Sequence, residues 1–509
     1  MNNATDKRLL IAALLSSIML VWYAKELSRW QASKQASGKP VEIVDNRPTQ
    51  TSLNQPAAAT ILKNEPNVSL TSKSLVVHVG TETASITSAI LRDFKGTKKD
   101  EQLLIKGQAP LLATASNVAW EIQEQLPARV SFSGADPGGT IHTISYELDP
   151  EHPVIVVRAG VNSSGSSAAK PSIYGTWYRS DSLSGRQNQL EADVLQIENG
   201  GKHIIVRAPL RSPKIISRGT DMAALSERYF CLIVDPVANN AAITLLPTGQ
   251  DSIGLRADAD TDQFQARVYI GPRDYFNRNQ AGFDKAFKIG VLGKIGLVLL
   301  LFVKWIAHVT GNYGVAIVIL SLGVTCLTAP FTMIGFRSMR KLQALKPTLD
   351  KIMADHKDDP KRANAAVMAL YKEHKVSPLS GCLPLFVQMP VFIALFQAIS
   401  HFTELRGQPF LWISDLSLPD RLFHLPYTMP VLGSEINLLP VLMAITMAVQ
   451  TKMSQASTAT STGNSTANMM SGPIMPIMFG VMFYHFPAGL VLYWLTNSLT
   501  SLAWYRLAK

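Results

Sequence analysis

Cysteine is nearly absent. The three in 509 residues, Cys231, Cys326 and Cys382, stand far apart and form no CxxC pair. That excludes a disulfide framework and a thiolate metal site, and each thiol reads as a small buried hydrophobe. Charge is missing from one region in particular. Residues 383–403 hold no Asp, Glu, Lys or Arg, yet they contain Pro384, Gln388, Pro390, Gln397, Ser400 and His401. A plain membrane anchor would be apolar throughout. Polar groups in hydrocarbon are costly and usually face a bundle interior or a wet cavity. The run therefore points to a device working inside the bilayer.

What is present supports a membrane protein. Apolar residues make up 47% of the chain, and mean hydropathy is +0.12. The net charge of +11 could suggest nucleic acid. It is concentrated in one loop, however, as expected on the cytoplasmic side of a membrane protein.

Lys7 and Arg8 precede an apolar run over 9–24, near the lower length limit for a span. Trp22, Tyr23 and Lys25 stand where a signal-peptide cleavage site would fall, so a retained anchor over 1–30 is expected. Residues 31–70 are rich in Ser, Ala, Gln, Asn and Pro and read as a tether. From about 75 to 275 the pattern has period two, as in TIHTISY at 140–146 and FQARVYI at 264–270, with turn signals at Asp136-Pro-Gly-Gly139 and Asn199-Gly-Gly201. Such strands predict an antiparallel β-sandwich over 71–282. No GxSxG, HExxH or P-loop sequence interrupts it.

Lys288, Lys294 and Lys304 recur through 283–310, which predicts an amphipathic helix in the membrane interface. The core, 311–509, begins with an uncharged run over 314–334. Its Ser321, Thr325, Thr328 and Thr332 follow i, i+4, i+7, i+11 and share one helix face. Two readings stay open there: a wet groove, or hydroxyls bonded to their own i−4 carbonyls or to a neighbouring helix. Residues 337–376 form a basic stretch including Arg337, Arg340, Lys341, Lys346, Lys361 and Arg362. Asp359 as a cap and Pro360 at the first position break it into a helical hairpin. After 383–403 comes a loop over 404–435, then short apolar runs at 436–449, 473–486 and 490–504. The charge contrast puts the hairpin in the cytoplasm and the 404–435 loop outside. With the N-terminal anchor, the chain is read as a multi-domain membrane protein with a five-helix C-terminal bundle and both ends inside.

Runs of 14–15 residues span only about 21–23 Å, against a hydrocarbon thickness of about 30 Å. Such mismatch thins the bilayer locally. Tyr493, Thr496 and Asn497 of the last run, with Gln388 and Thr446 from its neighbours, would supply partners to a polar segment crossing there. Fourteen of the 17 Met residues lie from Met333 onward, which suits adaptable apolar contacts or ordinary gap filling.

These residues also carry a resemblance. GCLPLFVQMPVFIAL at 381–395, Glu404-Leu-Arg406 and PFLWISDL at 409–416 closely resemble the bacterial YidC membrane-protein insertase family. FPAGLVLYW at 486–494, Asn312-Tyr-Gly314 and Ala329-Pro330 are similar to further landmarks of that family. The large sandwich after an anchor resembles its Gram-negative branch. The resemblance implies an inner-membrane insertase and chaperone, without ATP hydrolysis or cofactor. It implies nascent membrane proteins as clients, and the ribosome, the signal-recognition particle with its receptor, the Sec translocon and the lipid bilayer as partners. Tyr493 and Trp494 match client-contacting positions, Ser321 a hydroxyl position, and the basic hairpin the client-receiving element. One departure stands out. Thr325 occupies the position where the family carries a basic residue, so hydroxyls and amides are expected to hydrate the groove instead.

Two other classes were weighed. A solute transporter or channel would need mid-membrane charges or inverted repeats. A membrane-anchored lipid or peptidoglycan enzyme would need a convergent catalytic set, and His308, His401 and His485 are scattered along the chain.

Overall fold

The computed structural model describes residues 65–507, other than 456–473 and short stretches at 96–101, 107–108, 115–116, 163–169, 179–189, 197–201, 208–209, 211, 217–219, 238–240, 250, 357–358, 375, 377–382 and 430–432. The expected anchor at 1–30 and the tether as far as residue 64 lie outside the described residues.

Period-two patterning becomes two facing sheets of nine strands each, with every recorded pairing antiparallel. One sheet runs from Asn67–Thr71 to Lys214–Ile216, the other from Lys202–Arg207 to Ala119–Leu126. The first strand begins at Asn67, inside the stretch expected to be tether. Alternate residues meet between the sheets. Ile144, Tyr146 and Leu148 enter the core from one, and Val77, Ile173 and Leu255 from the other. Each such aliphatic side chain contributes about 1.5–3 kcal/mol by leaving water. The buried Tyr146 hydroxyl is satisfied by donating to Ala84 O at 2.7 Å. At the expected turn, Asp136 Oδ1 accepts from the amides of Gly138 and Thr140, both at 2.9 Å, while Gly139 takes φ +78°.

The outer face of the second sheet is covered too. Helix α1 (Tyr275–Gln280) is capped by Asp274 and leads into Phe283, Ala286 and Phe287, which pack on Cys231, Ile233 and Tyr269. Helix α2 (Val291–Thr310) follows and stops at Gly311, whose φ of +70° closes the helix end. Helix α3 (Tyr313–Ala344) starts where Asn312 Oδ1 accepts from the amides of Gly314 and Val315. At 32 residues it reaches about 48 Å and runs unbroken past Arg337. The hairpin proper is α4 (Lys346–Asp355) and α5 (Pro360–Glu373), and Asp359 Oδ1 accepts from the amides of Lys361 and Arg362. The remaining helices are α6 (Leu383–Ser400), α7 (Leu438–Gln455), α8 (Ile474–Phe483) and α9 (Ala488–Leu507).

Two helices are longer than the sequence reading. The last apolar run, read as 490–504, is a 20-residue helix of about 30 Å, and α7 has 18 residues rather than 14. Hydropathy stops at polar residues, whereas backbone hydrogen bonding does not. Helix α8, at 10 residues, is the shorter exception, so undersized spans are not a general property of the bundle. Helix α2 differs in character. Its outward face is apolar, with Val291, Ile295, Val298, Phe302, Trp305 and Val309 exposed, while Lys304 is paired with Glu404 at 2.6 Å. Among the described helices, α2 and α3 are long and apolar enough to cross a membrane by length and composition.

The helices pack around one apolar core drawn from α2, α3, α6, α7, α8 and α9. Helix α2 crosses α6 at Gly296, where an added Cβ would lie 2.3 Å from Ala394 O. The sandwich is tied to the bundle by several bonds. Arg228 Nε donates to Ser400 O at 3.1 Å, and His401 Nδ1 donates to Arg228 O at 2.9 Å. Tyr229 donates to Ser417 O, and Thr403 to Asp274.

Candidate functional site: a polar seam between three helices

Helices α3 and α9 run parallel. Ser321 Oγ donates to Tyr493 O at 3.0 Å, and Ile317 Cδ1 sits 3.1 Å from where a Cβ on Gly489 would be. The same sequence offset sets Thr325 level with Asn497. From α6, Gln388 Nε2 donates to the Tyr493 hydroxyl. Ser321, Thr325, Gln388, Tyr493 and Asn497 thus meet along one seam, opposite the exposed Leu322 and Leu327 of α3.

The seam is closed. Ser321 and Tyr493 are 0% exposed and Thr325 is 2% exposed. The threonine hydroxyls are occupied within their own helices. Thr325 Oγ1 donates to Ser321 O at 2.7 Å, Thr328 to Val324 O at 2.9 Å and Thr446 to Leu442 O at 2.8 Å. Of the two readings left open for this face, bonding to i−4 carbonyls and to a neighbouring helix describes the protein at rest. Helix periodicity identified the face, but it cannot tell whether water or another helix covers it.

One polar atom stands out. Asn497 Nδ2 is buried against the Tyr493 phenol, within reach of its oxygen but without the geometry of a fully formed hydrogen bond, while its Oδ1 accepts a long bond of 3.4 Å from Ser501. A buried N–H without an acceptor costs about 1–3 kcal/mol and calls for a reason. Sequence named Asn497 only as one amide among several.

Trp494 separates from Tyr493. Successive residues on a helix point about 100° apart, and the indole lies in an aromatic cluster with Phe392 (4.8 Å between ring centroids) and Phe483 (5.4 Å). Thr496 lies at the seam's edge, half-buried, and its carbonyl accepts from Thr500. The basic residues sit elsewhere: Arg337, Lys341, Lys361 and Arg362 are exposed beyond the bundle, and Arg340 and Lys346 are half-buried. Among the described residues no group of His, Cys, Asp or Glu could hold a metal ion.

Fold and seam together define a class: a β-sandwich latched to a bundle of apolar helices that share a polar junction. The comparisons give that class a family. Residues 305–507 match the family model described as 60Kd inner membrane protein. The chain is 30% identical over 404 residues to the membrane protein insertase YidC of Syntrophobacter fumaroxidans, covering 75% of this chain and 71% of that one. It is 32% identical over 393 residues to the YidC of Herminiimonas arsenicoxydans. There the match takes in 70% of this chain and just under two thirds, 64%, of the relative. An active YidC insertase crystal structure with the first transmembrane domain resolved is similar over 87% of this chain and 93% of that chain, at 17% identity and a TM-score of 0.39. The chain belongs to the YidC membrane-protein insertase family.

Proposed function

We propose that the chain is a membrane-protein insertase and chaperone of the bacterial inner membrane. It moves short polar tails of nascent membrane proteins across the bilayer and releases their hydrophobic helices into lipid. It works alone or beside the Sec translocon, with the ribosome and the signal-recognition particle and its receptor delivering clients to the cytoplasmic hairpin. In this reading the bundle spans the membrane as five helices behind an N-terminal anchor, and the sandwich is periplasmic.

The observation that carries the mechanism is the poorly satisfied Asn497 amide in the seam; on the same face of α9 the Trp504 indole N–H is likewise buried without a hydrogen bond. Bonds across the seam are few and neutral: Ser321 to Tyr493 O and Gln388 to the Tyr493 hydroxyl. Interhelical bonds of this kind average about 0.6 kcal/mol in membranes. A polar client segment that brings its own donors and acceptors can therefore exchange for them. The Asn497 N–H would gain an acceptor as the seam parts, which favours the opened form with client over the opened form without it. Because Thr325 offers no cation, binding here selects polarity rather than negative charge.

Photocrosslinkers at Gln388, Tyr493 and Leu327, each challenged with a ribosome-stalled single-span client in membranes, test this. Adducts from Gln388 and Tyr493, and few from the lipid-facing Leu327, are expected. Equal yields from all three would remove the seam as the client's path.

A further inference from the structure

Beneath the sandwich, where α1, the start of α2 and the outer end of α6 meet, lies a cavity of about 240 Å³. Its lining is basic, with Arg273, Arg278 and Lys288 facing a single carboxylate, Asp274. That carboxylate is committed: it caps α1 through Asn277 N and accepts from Asn277 Nδ2 and Thr403 Oγ1. Arg273 is matched by Glu191 at 3.1 Å. Arg278 is different. It is 2% exposed, and its Nε and Nη1 donate only to the carbonyls of Arg273, Phe283 and Asp284. Among the described residues no carboxylate forms an ion pair with it and its Nη2 has no hydrogen-bond partner, although the guanidinium stacks on Phe287 at 4.8 Å. A buried guanidinium without a counter-anion is expensive. Helix α2 begins at Gly290 with no side-chain cap, and Gly290 and Gly293 line the same cavity, so uncapped first-turn amides adjoin it. Lys288 stands exposed at the mouth, with no ion pair among the described residues.

We propose that this cavity binds a phosphate oxyanion, held by Arg278 and the first-turn amides of α2 and guided in by Lys288. Guanidinium and helix-terminal N–H groups are the donors that recognise such an anion. The exposed apolar row Val291, Ile295, Val298 and Phe302 starts at the mouth. An acyl chain attached to the phosphate would lie along it, so a phospholipid headgroup is one source of the anion and the free ion is the other. The proposal is independent of the insertion reading.

The test uses the full-length protein in detergent micelles, scored by native mass spectrometry for retained phosphatidylglycerol and, separately, for an uncharged glycolipid without phosphate. Phosphorus NMR with inorganic phosphate forms the second arm. Retention of phosphatidylglycerol but not the glycolipid assigns the lipid source, and phosphate binding alone assigns the free ion. Arg278→Met is expected to weaken binding about tenfold or more, since it removes a charge-assisted bond. Should Arg278→Met fail to fold, Lys288→Glu at the exposed mouth serves instead, with unchanged melting and binding weakened about threefold. Binding of neither ligand, or equal binding by the wild type and Lys288→Glu, overturns the proposal.

Discussion

Replacing Asn497 by Leu should strengthen the protein and weaken its work. The amide nitrogen is buried without a well-formed acceptor, and Leu keeps the branched outline of the side chain; its larger methyls have room on the half-exposed side of Asn497. Removing an unsatisfied buried N–H recovers about 1–3 kcal/mol, whereas losing the long Ser501 contact gives back about 0.5 kcal/mol. A net gain of about 1 kcal/mol, or roughly 2–4 °C in the melting temperature of a unit the size of the helical bundle, is expected. The same change deletes a donor that a client would satisfy, so single-span insertion into proteoliposomes should fall about three- to tenfold (about 0.7–1.4 kcal/mol). Opposite signs in the two assays are the signature. A loss of stability would mean that the amide has a resting partner. Raised stability with insertion unchanged would mean that this donor has no part in client handling.

Other expectations follow from the packing. Thr325→Val should change insertion by less than about twofold, because its hydroxyl serves only the Ser321 carbonyl of its own helix; a loss as large as that of Asn497→Leu in the same assay would show that the hydroxyl is used when the seam opens. Gly296→Ala should destabilise the bundle by about 1–3 kcal/mol, read by thermal unfolding, since the added methyl would meet Ala394 O at 2.3 Å. Burial raises the pKa of Glu191, but Arg273 and Arg207 beside it outweigh this and hold its carboxyl below the ordinary 4.5. Its stabilising contribution is therefore complete above 4.5 and is lost as pH falls through the lower folded value. Glu191→Gln should remove part of the acid sensitivity measured by pH-dependent melting, and an identical acid transition would contradict the pairing.

The sandwich was legible because strand alternation reports burial directly, although not always with the intuitive face inward. In TIHTISY it is His142, Ile144 and Tyr146 that turn in, while Ile141 is 48% exposed. Asp359 and Pro360 declared the start of α5 from local chemistry alone. The shared face of Ser321, Thr325 and Thr332 was equally plain, but its covering by α9 depends on contacts 172 residues away. No local pattern carries that information. The same limit explains α2, whose Lys304 read as an interfacial charge until its partner Glu404 came from a distant loop. The Asn497 donor needed three helices in place before it could be recognised as poorly satisfied.

The reciprocal bonds between Arg228 and the end of α6 have a mechanical consequence. Because Arg228 of the sandwich bonds both Ser400 and His401, a tilt of α6 must either break these bonds or carry the sheets with it. A small rotation at the Gln388 end of that helix becomes a larger sweep at the far edge of the sandwich. A fluorophore there would report events deep in the bundle from the opposite side of the protein.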